Sequence, residues 1–177
     1  NFYNDTYLVD QNACSSPHLI LWLGKNLKIK NKFWKELSLY AKSKYKNEQY
    51  FNLEKYSKML DDIMCLKNIS DIKIYESLTY VVYLKNLNWN LETLRGKWGY
   101  FYDYDIENIN KLTKFVTKKF QTLTYYGISK KILNNFINQT DLHGIDRIIP
   151  IGQSLNIDFN WDSYDLSSIL SRQVKLG

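Results

Sequence analysis

Cysteine, histidine, proline and glycine are all scarce in this chain. Two cysteines, Cys14 and Cys65, are too few for a disulfide framework and fit a reducing cytoplasmic setting. Two histidines, His18 and His143, stand too far apart to complete a zinc cage with them, so no metal is expected. The seven glycines are dispersed and form neither G-x-G-x-x-G nor G-x-x-x-x-G-K-[ST]. The chain therefore shows no dinucleotide or phosphate loop of its own. G-x-S-x-G is absent, which leaves a serine-hydrolase reading without a motif. The longest apolar run, Leu19 to Leu23, is far too short to cross a bilayer, and no signal peptide is visible.

What remains is ordinary for a folded domain. The 177 residues suit a single domain, with 45% hydrophobic and 24% charged residues. Aromatics reach 16%, which fits ring-rich packing better than a dedicated ligand tunnel. The net charge of +6 comes from lysines scattered through "KNLKIKNKFWKE", "YAKSKYKNE" and "KFVTKKF". No basic-aromatic signature of an RNA-reading sheet accompanies them, so no nucleic-acid partner is expected.

Strand and helix patterns alternate. "HLILWLG" reads as a strand buried on both faces, bounded by Pro17 and Gly24. A helix is expected from about Asn31 to Lys46. A second covers "NLEKYSKMLDDIMCL", with Leu53, Tyr56, Met59, Leu60, Ile63 and Met64 as its buried stripe and Cys65 in the core behind it. "TYVVYLKNL", "GKWGYFYDYDI", "QTLTYYGI" and "DRIIPIG" read as further strands. "ENINKLTKFVTKKF" reads as a helix on Ile109, Leu112, Phe115 and Val116. "SKKILNNFINQT" reads as another, capped by Ser129. The tail "NWDSYDLSSILSRQ" ends in a helical turn. This alternation predicts an α/β domain with a mostly parallel sheet flanked by helices, in which "HLILWL", "YVVYL", "TLTYY" and "RIIPI" share one sheet.

"DQNACSSPHLI" is the stretch with chemistry in it. Cys14 lies among Gln11, Asn12, Ser15, Ser16 and Pro17, which are turn formers rather than core residues. A reactive cysteine needs a reachable sulfur and a stabilised thiolate. Asp10 would oppose the thiolate if its carboxylate faced the sulfur, so it is expected to point away. His18 invites a Cys–His dyad, but a strand that begins there carries it away from the turn, so the dyad is the weaker reading. His143, before Gly144, reads as a residue at a helix C-terminus.

Taken together, "DQNACSSPHL", "KKFQTLTYYGI" and "HGIDRIIPIGQSLNIDFNWDSYDLSSILSR" resemble acyl-CoA reductases of the LuxC type, within the aldehyde dehydrogenase superfamily. The resemblance implies an aldehyde-dehydrogenase-like catalytic domain over residues 1–177, with the nucleotide-binding domain outside this sequence. It implies that Cys14 is the nucleophile, acylated by a fatty acyl thioester carried on coenzyme A or on a protein partner. It further implies that NADPH, held by the other domain, reduces the acyl group to an aldehyde. Asn12 is a candidate for shaping the Cys14 turn. Superfamily members assemble through this half, which points to a homo-oligomer, with apolar surface near Cys14 and the C-terminal segment. The competing expectations are a noncatalytic interaction domain derived from that family and, less well supported, a basic nucleic-acid-binding module.

Overall fold

The computed structural model describes residues 1–176 except 89, 140, 141, 143, 162, 163 and 173. His143 therefore lies outside the described residues. The chain opens with a short helix α1 (Phe2–Asp5) and a 3-10 turn, Tyr7–Val9. Strand β1 (Leu19–Leu23) leads to two long helices, α2 (Leu27–Lys44) and α3 (Gln49–Cys65). Strands β2 (Ile69–Tyr75), β3 (Thr79–Leu84) and β4 (Tyr100–Ile106) follow. The second half holds β5 (Thr122–Tyr125), α4 (Lys130–Gln139) and β6 (Arg147–Pro150). A small hairpin of β7 (Asn160–Trp161) and β8 (Tyr164–Asp165) precedes the last helical turn, α5 (Leu166–Leu170).

The fold is mixed α/β. Four strands form the main sheet in the order β1-β4-β3-β2. β1 and β3 run parallel to β4, and β2 runs antiparallel to β3. Every residue of β3 is buried, and its side chains alternate between two helix-covered faces. Val81 and Tyr83 point toward a cluster with Phe2, Tyr7, Trp34, Leu37 and Phe101 under α2. Tyr80, Val82 and Leu84 point the other way, joining Tyr100 and Tyr102 under α3.

β5 and β6 do not join that sheet; they pair only with each other, in parallel. This corrects the expectation of one sheet for all four apolar runs. Their contact with the main sheet is made by side chains. Leu123 and Ile148 pack with Leu21 of β1 around buried Ile106, Leu133 and Phe136. β1 itself is an edge strand and half-buried, with Leu23 turned to water, and not a strand buried on both faces. The 109–114 segment forms a 3-10 helix, not the longer α-helix expected, with Ile109 and Leu112 buried. Ser129 does begin α4: its Oγ accepts from the Ile132 amide at 3.4 Å and its carbonyl from the same amide at 3.0 Å.

Helix α3 is turned about its axis relative to the apolar stripe. Leu53, Tyr56, Leu60, Ile63 and Met64 are exposed, and Phe51, Lys55 and Asp62 are buried. Cys65 is exposed with them, not in the core. The cause lies across the interface. That face of the sheet is built from tyrosines, whose hydroxyls need partners when buried. Tyr100 and Tyr102 donate to Asp62 Oδ2 at 2.7 and 2.6 Å, and Lys58 pairs with the same carboxylate. The Lys55 ammonium donates to the Leu78 carbonyl at 2.7 Å and lies 5.2 Å over the Tyr80 ring. A polar helix face thus fits a polar-tipped aromatic sheet, and the hydrophobic stripe is left to solvent except for Met59, which packs against the tyrosine cluster. Leu60→Lys should accordingly shift stability by no more than ~0.5 kcal/mol, the usual range for surface changes. A core position would cost ~2 kcal/mol or more on such a replacement, and the denaturant midpoint separates the two.

Candidate functional site

The loop between Asp10 and His18 is held from below by one side chain. Gln11 is buried, with its amide nitrogen donating to the carbonyls of Pro17 (3.0 Å) and Tyr100 (2.9 Å). Its amide oxygen accepts from the backbone of Gly99 and Tyr100, both at 3.1 Å. Both polar atoms of the amide group are therefore engaged between the loop and the start of β4. Gln11 adopts positive φ to do this, as does Asp10. Gly99 fits the same junction: it sits at φ +90°, and a Cβ there would run into the Tyr7 ring.

Cys14 is exposed at the tip of this loop, in a turn closed by Ser16 N–H to Ala13 O at 3.0 Å. The backbone amides of Cys14 and Ser15 donate to nothing among the described residues. The Asp10 carboxylate is occupied elsewhere, accepting from the Tyr45 hydroxyl at 2.6 Å. Asn12 is exposed, and its backbone amide bonds Val9 O at 2.9 Å. The anchoring of the loop falls to Gln11, expected only as one of several turn formers, and not to Asn12. The available signal was an amide side chain next to a cluster of turn formers, and that does not distinguish Gln11 from Asn12.

Cys14 borders a cavity of about 150 Å³. That is room for a benzene-sized apolar group. Leu91, Leu94, Leu112, Val116, Phe120 and Leu123 form its apolar wall, and Ser16, His18, Glu92, Arg95 and Lys119 supply polar groups. Three of these leave buried polar atoms without a partner: Ser16 Oγ, His18 Nε2 and Glu92 Oε2. Buried polar atoms are normally satisfied, so three around one cavity mark it as a place for a polar ligand group or water.

His18, which stands just before β1, reaches the same cavity as Cys14, but no hydrogen bond joins the two. Its Nδ1 accepts from Gly96 N–H at 3.3 Å. Burial, with the Arg95 guanidinium second, pulls the imidazole down to about 4. A neutral ring whose Nδ1 is an acceptor carries its proton on Nε2. Such a ring cannot take a proton from the Cys14 thiol at Nε2, which argues against the dyad. The depressed value also has a sign for stability. The unfolded chain binds this proton below about pH 6.5 and the folded chain only near 4, so acid favours unfolding across that window. Imidazole NMR should show His18 unprotonated at pH 5.5, where an ordinary histidine is mostly charged.

A second cavity, of about 220 Å³, shares Arg95 with the first. Lys55, Lys58, Arg95 and Lys97 line it, with Glu54 as its one carboxylate and Trp98 as an aromatic wall. Lys55 is almost fully buried, and burial lowers its ammonium to about 8.

Among the described residues no group of three or more His, Cys, Asp or Glu side chains could hold a metal ion. No helix there is long and apolar enough to cross a membrane. No family model matches the chain, and no curated protein matches it.

Proposed function

We propose that this chain is the acyl-transfer half of a reductase that converts a fatty acyl thioester to an aldehyde, in an aldehyde-dehydrogenase-like catalytic domain, with Cys14 as nucleophile. The observation that carries the reading is the shared wall: an exposed cysteine at an anchored turn, beside an apolar cavity with unsatisfied polar atoms. The likeness of "DQNACSSPHL" and the two later segments to LuxC-type reductases supplies the reaction.

In that reaction the Cys14 thiolate attacks the carbonyl carbon of the thioester. The carbon–sulfur bond to the carrier then breaks, the carrier leaves as a thiolate and takes a proton, and Cys14 keeps the acyl group. One thioester replaces another, so the step is close to balanced in free energy. The unbonded amides of Cys14 and Ser15 are suited to the negative charge that builds on the carbonyl oxygen. The start of the acyl chain would lie along Leu94, Phe120 and Leu123. The basic cavity that shares Arg95 would suit the phosphates of coenzyme A better than an acylated protein.

Reduction requires NADPH, and this chain has no glycine-rich loop to hold its phosphates. These residues therefore carry acyl transfer and not hydride delivery. With a long-chain acyl-CoA, the chain should release about one equivalent of free coenzyme A thiol and then stop, with no aldehyde formed on adding NADPH. Continuous thiol release at an undiminished rate, or none at all, counts against the proposal.

A second reading has its own observation. Leu53, Leu60, Ile63 and Met64 on α3 are exposed, and so are Ile157, Phe159, Ile169, Leu170, Val174 and Leu176 toward the C-terminus. Large exposed apolar surfaces mark interaction sites. Concentration-dependent self-association by sedimentation, together with no thiol release, would favour an interaction domain.

A further inference from the structure

We propose that His18 and Ser16 form a carbonyl clasp in the Cys14 cavity: His18 Nε2–H and Ser16 Oγ–H donate to an acceptor oxygen of the bound ligand. This rests on the acyl-transfer reading for the identity of that oxygen, the carbonyl of an acyl group. The clasp itself rests on geometry.

Gly96 fixes the ring. Its amide donates to His18 Nδ1, so Nδ1 must present a lone pair and Nε2 must carry the hydrogen. Gly96 is itself held in place by close approach to Tyr100, where a Cβ would collide with the Tyr100 backbone and ring. His18 is also tied through its backbone, because its carbonyl accepts from Tyr102 N–H at 2.9 Å. The ring is thus set by the loop before β4 and its backbone by β4 itself, with its one donor buried and unused. Ser16 stands two residues earlier on the Cys14 turn, lines the same cavity and leaves its hydroxyl equally unused. An unused buried donor costs free energy in the empty fold and returns it when an acceptor arrives. Two such donors beside an apolar wall suit a ligand with one acceptor oxygen on an alkyl chain. Arg95 lines the same cavity, and its charge acts on the His18 ring, so it favours an oxygen that gains negative charge.

The clasp assigns His18 a role opposite to a general base. It gives a hydrogen bond and moves no proton, and Cys14 needs no proton transfer to it.

The test uses the Cys14→Ser chain, so that no covalent adduct forms, with 2-octanone as the carbonyl probe and octane as its control. Nitrogen-15 spectra of the histidine rings, assigned against His18→Leu, should show the Nε2–H tautomer. 2-Octanone should move the His18 Nε2–H signal, and octane should leave it in place. Ser16→Ala and His18→Leu should each weaken ketone binding about tenfold, as expected for one buried hydrogen bond lost, with octane binding unchanged. If His18→Leu fails to fold, the ring spectrum of the parent chain and Ser16→Ala decide the matter. An Nδ1–H tautomer, a ketone that binds no better than octane, or a bound ketone that leaves His18 unmoved would each overturn the clasp. Its failure is distinct from that of the acyl-transfer reading. Should His18 hold the ketone while Cys14 never accepts an acyl group, the clasp stands alone. If Cys14 is acylated equally fast in His18→Leu, the clasp falls and acyl transfer stands.

Discussion

Replacing Lys30 by Met should cost ~3–5 kcal/mol of stability, the range for breaking a buried ion pair from one side. Lys30 and Asp103 are both buried, with Nζ 2.5 Å from Asp103 Oδ1 and 2.8 Å from Asp105. The indole N–H groups of Trp22 and Trp34 both donate to Asp103 Oδ2 at 2.8 Å. Asp103 thus ties β4 to β1 and α2 through two indole hydrogen bonds and one ion pair. Burial pushes its carboxyl up, and Lys30 is the first of the groups that oppose the rise. Without Lys30 the carboxylate would be left in the core without its cation. Because a carboxyl raised in the folded state favours folding as it gains a proton, the deficit of Lys30→Met should shrink as pH falls. Denaturant unfolding at pH 7 and pH 5 tests both parts. A loss below ~1 kcal/mol would place the pair in the class of solvent-screened contacts instead.

Gln11→Ala should be nearly as damaging, at ~2–4 kcal/mol, and its effect should extend to function. The truncation removes hydrogen bonds to Pro17 and Tyr100 carbonyls and to the Gly99 and Tyr100 amides. Each buried group left unsatisfied costs ~1–3 kcal/mol, though such losses do not simply add. Gln11→Glu is the informative companion. It keeps the acceptor for the two amides and loses the donor to the two carbonyls. In both variants the Cys14 turn loses its bond from Gln11 to the Pro17 carbonyl. Alkylation by a small reagent should then persist, since exposure is unchanged, while thiol release from acyl-CoA falls sharply. Equal losses in both reactions would mean that the whole loop, sulfur included, has been displaced.

The legible part of the fold was the part set by local pattern. "LILWL", "YVVYL", "TLTY" and "RIIP" are short apolar runs with turn residues at their ends, and all four are strands. β2 escaped notice for a local reason too. The turn after it, at Glu76 and Ser77, holds both residues at positive φ, where Asn-Gly would be the usual hairpin signal. The rotation of α3 could not be read from its own sequence. Its apolar residues do lie at helical spacing, but the partner surface is a row of tyrosine hydroxyls, which selects Lys55 and Asp62. Burial of Cys65 was inferred from that same stripe and fell with it. The separation of β5 and β6 from the main sheet was equally hidden, because pairing between distant strands leaves no mark on either one.

At the site, the exposure of Cys14 followed from its turn-forming neighbours. The position of His18 did not, because β1 is an edge strand and the residue just before it is left against the cavity instead of inside a sheet. Arg95, Glu92 and Lys119 carried no motif. They meet Cys14 only because the 91–96 and 112–124 segments fold back over the start of β1.

The exposure of both cysteines makes the decisive measurement sharper than it would be with one buried, since accessibility alone no longer favours either. The chain is incubated with a long-chain acyl-CoA, digested, and mapped by mass spectrometry under conditions that preserve thioesters. One acyl group on the peptide containing Cys14, none on the peptide containing Cys65, and none on either after Cys14→Ser is the expected result. Acylation at Cys65, at both cysteines equally, or at neither while Cys14 still reacts with a small alkylating reagent would contradict Cys14 as an acyl-accepting nucleophile.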